Sequence, residues 1–131
     1  MEDYLKKIVI GGVSMEHLDF ERFVDLVGSS CKNSSLKLDK PMVISFYAPW
    51  CPACQDVLDI FTVIEKDYIE HIDQFKVNTD EEEILSSFFG VKSLPTMVFF
   101  ANNQKPEITI GRVNEERLHE LLRETITKHN M

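Results

Sequence analysis

The stretch Ser45-Phe46-Tyr47-Ala48-Pro49-Trp50-Cys51-Pro52-Ala53-Cys54 decides how this chain is read. Met42-Val43-Ile44 leads into it, and the β-branched and aromatic run predicts a buried strand over Met42–Tyr47. Beyond it the apolar residues change to helical spacing. Val57, Leu58, Phe61, Ile64 and Tyr68 share one face of a helix expected to reach about Ile69, with Asp56, Asp59, Glu65 and Lys66 turned elsewhere. Two cysteines therefore fall where strand gives way to helix. A helix start offers unpaired N–H groups and the positive end of the helix dipole, and both stabilise a thiolate. Cys51 is expected at or just before the first helical residue. Pro52 suits that first position, because the amide hydrogen it lacks would be unpaired there anyway. Cys54 follows one turn later, its sulfur near that of Cys51 but deeper. The arrangement fits thiol–disulfide exchange, with Cys51 as the nucleophile and Cys54 as the resolving thiol.

Zinc sites use the same cysteine spacing. Cys31 and one of His17, His71, His119 or His129 could complete such a set, but no second closely spaced ligand pair is present. The expectation is redox chemistry without a metal. A purely structural disulfide is disfavoured, since closing so short a loop constrains little of the unfolded chain.

At 131 residues, Met1–Met131 reads as one domain with room for a real core. Hydrophobic content of 44% and charged content of 27% place it among ordinary soluble globular proteins. The net charge of −8 disfavours phosphate backbones and anionic lipid, so nucleic acid and membrane are not expected partners. The apolar run near the start, Ile8–Ile10, is too short for a signal sequence, and no stretch approaches a membrane span. Three cysteines are few for a disulfide-stabilised secreted domain. The expected location is the cytoplasm, or the periplasm or secretory pathway if a leader was trimmed.

Leu5–Ile10 reads as the first strand, broken by Gly11-Gly12. Ser14 then caps a helix through about Val27, stopped by Gly28, with Leu18, Phe23, Val24 and Val27 on its inner face. Residues 29–40 read as a loop. Gln74–Asn78 is a third strand. Asp80 caps a helix opening with Glu81-Glu82-Glu83, with Ile84, Leu85, Phe88 and Phe89 inward and Gly90 at its end. Thr96–Ala101 and Glu107–Gly111 form a hairpin around Asn102-Asn103-Gln104, and Phe99 and Phe100 read as core. Asn114 caps a last helix with Leu118, Leu121, Leu122 and Ile126 as its stripe. The order β-α-β-α-β-α-β-β-α requires parallel crossovers followed by an antiparallel hairpin. It implies an α/β fold, a mixed five-stranded sheet flanked by four helices.

Trp50-Cys51-Pro52-Ala53-Cys54 after a strand, with Leu94-Pro95-Thr96 later, resembles the thioredoxin family over nearly the whole chain. Phe46-Tyr47-Ala48-Pro49-Trp50-Cys51 is also similar to the catalytic domains of protein disulfide isomerases. The resemblance implies a thioredoxin fold and a monomer that reduces protein disulfides without a cofactor and is itself reduced by a thioredoxin reductase. It implies that Trp50 lies beside the thiolate and helps dock substrates. It also implies a cis Leu94–Pro95 bond against the sulfurs, presenting the backbone of Leu94 to a substrate strand and leading into Thr96. Gly111 would let a partner approach closely, and Lys76 would lie near a buried acid.

That acid is missing. The family carries it six residues before the nucleophile, where this chain has Ser45. A serine hydroxyl cannot take a proton at neutral pH as a carboxylate can. Resolution by Cys54 would then lean on water, on Ser45 as a relay, or on an acid elsewhere; the plain alternative is a small core residue. Pro52-Ala53 also departs from the family's usual Gly-Pro or Gly-His, and these residues tune the thiolate and the potential. With no histidine between the cysteines, a reductant is favoured. The alternatives are an isomerase-like or oxidising module, and a client-binding domain with low turnover.

Overall fold

The computed structural model describes residues 15–28 and 38–131. Leu5–Ile10, Gly11-Gly12, Ser14 and Cys31 lie outside the described residues. Along the chain run β1 (Glu16–His17), α1 (Phe20–Val27), β2 (Met42–Tyr47), α2 (Pro52–Ile64), a 3₁₀ turn (Glu65–Asp67) and β3 (Asp73–Asn78). Then come α3 (Glu83–Phe88), β4 (Thr96–Phe100), β5 (Glu107–Ile110) and α4 (Glu115–His129). The sheet order is β1-β3-β2-β4-β5. β3 is parallel to both β1 and β2; β4 is antiparallel to β2 and β5. The fold is the α/β mixed sheet with four helices that the sequence implied.

β2 sits at the centre because five of its six residues are buried, as a strand covered on both faces requires. Side chains alternate along it. Ile44 and Phe46 join Phe23, Val27, Phe75, Val77 and Leu85 beneath α1 and α3. Val43 joins Val57, Phe61, Met97, Leu118 and Leu122 beneath α2 and α4. Each such large side chain contributes roughly 1.5–3 kcal/mol by leaving water.

Four local expectations are corrected. Glu16 and His17 were expected inside a helix but form β1, and α1 is capped by Asp19, whose side chain accepts from the Arg22 N–H at 2.7 Å. The helix after the cysteines ends at Ile64, where the chain tightens into the 3₁₀ turn. The tighter rotation carries Glu65 to the inside, 4% exposed, where helical spacing had placed it outside. Asp80 does not cap α3; Asn78 organises that turn, its side chain accepting from the Asp80 N–H and donating to Glu81. Finally, α3 has under two turns and buries only Leu85, so Ile84 and Phe88 point to solvent.

Other punctuation holds. Asn103 turns the hairpin at φ 59°, and Asn114 caps α4 by accepting from the Arg117 N–H.

Candidate active site

Cys51 is the N-cap of α2 and Pro52 its first residue. The Cys54 N–H donates to Cys51 Sγ at 3.2 Å, so an orphan amide of the helix start is aimed at the exposed-side sulfur. The two cysteines form a disulfide with Cα atoms 5.3 Å apart. Cys54 is the deeper, at 1% exposure against 7% for Cys51. Ala48 shares their cluster, and Tyr47, Ala53 and Leu94 pack against it. β2 delivers this unit to the end of the sheet, and a Cys51 N–H bond to Ala48 O turns the chain into α2.

The Leu94–Pro95 bond is cis. Leu94 reaches the cysteine cluster, Pro95 is buried, and Thr96 is anchored by its hydroxyl donating to Ser93 O at 2.6 Å. Gly111, at φ +97°, donates its N–H to Pro95 O at 2.8 Å, which ties the end of β5 to the cis bond. A side chain is disfavoured at that φ, which accounts for glycine here. Trp50 is 69% exposed, and its Nε1–H donates to an Asp80 carboxylate oxygen at 3.1 Å. The sequence carried no signal for this partner, thirty residues away on another loop.

Ser45 is 1% exposed and its Oγ has no hydrogen-bond partner. It lies opposite Lys76 on β3 and Met97 on β4, which places it on the α2 and α4 side. No carboxylate replaces the missing acid on the neighbouring strand position: Lys76 Nζ instead stands 5.9 Å from the centre of the Tyr47 ring. The Tyr47 hydroxyl is 2.8 Å from His17 Nε2. Burial, then the Lys76 charge, lowers the His17 pKa below its ordinary value, against an opposing pull from Glu81. Burial, then Glu81, raises that of Tyr47. With the imidazole neutral and the phenol protonated, we assign the hydroxyl as donor to Nε2. Sequence reading missed this pair by placing His17 on a helix.

Three of the four histidines weighed as metal ligands are engaged elsewhere: His17 with Tyr47, His119 with Tyr68, His129 with the Asn102 N–H. Among the described residues, no group of three or more His, Cys, Asp or Glu is placed to hold a metal ion.

A family profile described as Thioredoxin matches residues 23–124. The chain belongs to the thioredoxin family. Thioredoxin of Borreliella burgdorferi is 38% identical over 93 residues, 71% of this chain and 80% of that protein. A chloroplastic M-type thioredoxin of Brassica napus is 34% identical over 109 residues; the match covers 82% of this chain but only 62% of that protein. The crystal structure of chloroplastic thioredoxin z superposes with a TM-score of 0.71 over 87% of this chain and 96% of that one, at 18% identity, which speaks for the fold. Family membership and the paired cysteines together make this thioredoxin-family chain a thiol–disulfide oxidoreductase with protein-disulfide reductase activity.

Proposed function

We propose that this protein works as a reductant of disulfides in other proteins, as a monomer in a reducing compartment such as the cytoplasm. In the reduced form the Cys51 thiolate attacks one sulfur of a substrate disulfide. That bond breaks, its leaving sulfur takes a proton, and a mixed disulfide joins Cys51 to the substrate. Cys54 then gives up its proton and attacks Cys51 Sγ. The second substrate thiol departs, and two electrons have passed to the substrate as the Cys51–Cys54 disulfide forms. A flavin-dependent thioredoxin reductase would return two electrons to the pair. The observation that carries the assignment of roles is the Cys54 N–H directed at Cys51 Sγ at the helix start.

The other residues have supporting roles in this reading. Trp50, Leu94, Pro95, Thr96 and Gly111 frame the substrate segment, and Pro52 and Ala53 set the amides around the thiolate. Lys76 and Ser45 form the floor. Insulin reduction driven by dithiothreitol tests the proposal. Cys51→Ser is expected to fall to the uncatalysed rate, while Cys54→Ser accumulates a mixed disulfide at Cys51. Full activity in Cys51→Ser would overturn it. The unpartnered Ser45 hydroxyl favours one second reading, a client-binding domain that resolves slowly because, where the family has its acid, this chain has a serine. In that case wild type would itself hold the mixed disulfide in single-turnover experiments.

A further inference from the structure

The outer surface of α1 and α3 sets exposed apolar side chains among acids. Phe20 and Val24 lie one turn apart on α1, and Ile84 and Phe88 one turn apart on α3. All four are exposed, at 39%, 44%, 64% and 63%. The helices adjoin, because the Phe88 ring stands edge-on to Phe23 of α1 with centroids 5.8 Å apart. An open cavity of about 500 Å³ lies there, lined by Phe20 and Val24 together with Asp19, Glu21, Asp25 and Glu82. Among the described residues, every polar residue of that lining is an acid. Arg22 is the one cation on α1, and α3 with the Asp80–Glu83 approach to it has none.

We propose that this acid-rimmed apolar groove docks a cationic amphipathic helix of a partner protein. Phe20 and Val24, one turn apart in the groove, match the anchors that a helix presents at i, i+3 or i+4, and Phe88 of the adjoining α3 extends the apolar surface beside α1. The flanking carboxylates select Lys and Arg beside those anchors. The charge argues against other occupants. A two-fold contact between copies of this chain would set the same four acids against themselves. An anionic lipid surface would be repelled. The groove also has a fixed relation to the dithiol. β1, β2 and β3 are parallel, so α1, α2 and α3 all begin at one end of the sheet. Glu82 in the groove follows Asp80, the partner of Trp50, by two residues. A helix seated here would have one end beside Trp50, which makes the groove a recruitment surface next to the reactive sulfur but outside it.

The probe is a fluorescein-labelled synthetic helix of leucine and lysine, about five turns long. Its anisotropy is followed as the 131-residue chain is added at low and at moderate salt. Val24→Ser combined with Phe88→Ser is expected to weaken binding about tenfold or more. Asp25→Asn combined with Glu82→Gln should weaken it as well and flatten its salt dependence. Glu116→Gln combined with Glu120→Gln, which removes equal charge from α4, should leave it unchanged. All variants alter exposed or half-buried side chains, and urea midpoints verify that they fold. Absence of binding to wild type, equal binding by the Val24/Phe88 variant, or equal weakening by the α4 variant overturns the proposal. So does a wild-type dimer in sedimentation that the Val24/Phe88 variant abolishes, which would make a second copy the occupant.

Discussion

Ser45 and Phe46 are neighbours on β2, yet they face layers of opposite character. Phe46 looks toward α1 and α3, into a set of rings: Phe89 lies 5.6 Å away, and Phe89 in turn meets Phe23 and Phe100 at 5.3 and 5.7 Å. Ser45 looks toward α2 and α4, where Lys76, Tyr47 and His17 line the same face and the cysteine pair lies at its end. The ring side packs its aromatic set with the buried Thr96 beside Phe46 and carries its polar and apolar contrast outside, on the groove. The dithiol side buries Ser45, while Tyr47 and Lys76 are half-buried and His17 is exposed. Both layers hold an extensive apolar core, and the unpartnered Ser45 hydroxyl and the cysteine pair belong to the second. That division can be tested residue by residue.

The largest effect is expected at Phe46. Truncation to alanine removes a fully buried ring from the aromatic set and should cost about 3–5 kcal/mol, a large part of the stability of a domain this size. It should lower the urea midpoint sharply. Alkylation of reduced Cys51, followed well below that midpoint, should keep its wild-type rate, because the ring belongs to the other layer. A large change in alkylation rate would show that the two layers are not separable.

A smaller effect of opposite sign is expected one residue away. The Ser45 hydroxyl is buried without a partner, so Ser45→Ala should stabilise the protein by about 1 kcal/mol or slightly more. Ser45→Asp should do the reverse, since an ionised carboxylate there is costly to bury. It should nevertheless speed release of the mixed disulfide near neutral pH by offering Cys54 a proton acceptor. Destabilisation by Ser45→Ala would mean that the hydroxyl is already engaged. An unchanged single-turnover rate in Ser45→Asp would remove the missing acid from the account of resolution.

The same contrast separates what was legible in the sequence from what was not. β2, the cysteine turn, the hairpin turn at Asn103 and the cap at Asn114 are local, each resting on residue types whose backbone preferences act within a few positions. Their bounds hold to within a residue or so. The cis Leu94–Pro95 bond, by contrast, was implied only by the family resemblance. What escaped reading depends on distant partners. Asp80 looks like a helix cap until Trp50 is beside it. His17 looks like part of a helix until β3 offers it an edge to pair with. Ile84 and Phe88 repeat at helical spacing as core residues do, yet a helix of six residues has room to bury only one stripe, which Leu85 takes. Glu65 passed for a surface acid because the change from α to 3₁₀ geometry at Ile64 has no mark in composition.

The smallest expected effect is the pH response of His17. Its pKa is lowered in the folded protein, first by burial and then by the charge of Lys76 on the paired strand, while Glu81 pulls the other way. In the unfolded chain the imidazole titrates near its ordinary value of about 6.5. Between the two values the unfolded state binds more protons, so stability rises with pH through that window. The contribution is complete above the unfolded value and is lost as pH falls through the folded one. Tyr47, raised in the fold, stays protonated throughout and adds no slope of its own. Urea midpoints of wild type and His17→Gln, measured from neutral to mildly acid pH, isolate the effect because the carboxylates are common to both. The advantage of wild type should shrink as the solution is acidified below the ordinary histidine range. The change is small because the ring is partly solvated and its charges are screened. A difference that stays constant with pH would show that His17 titrates alike in both states, and that the tyrosine and lysine beside it do not hold it neutral.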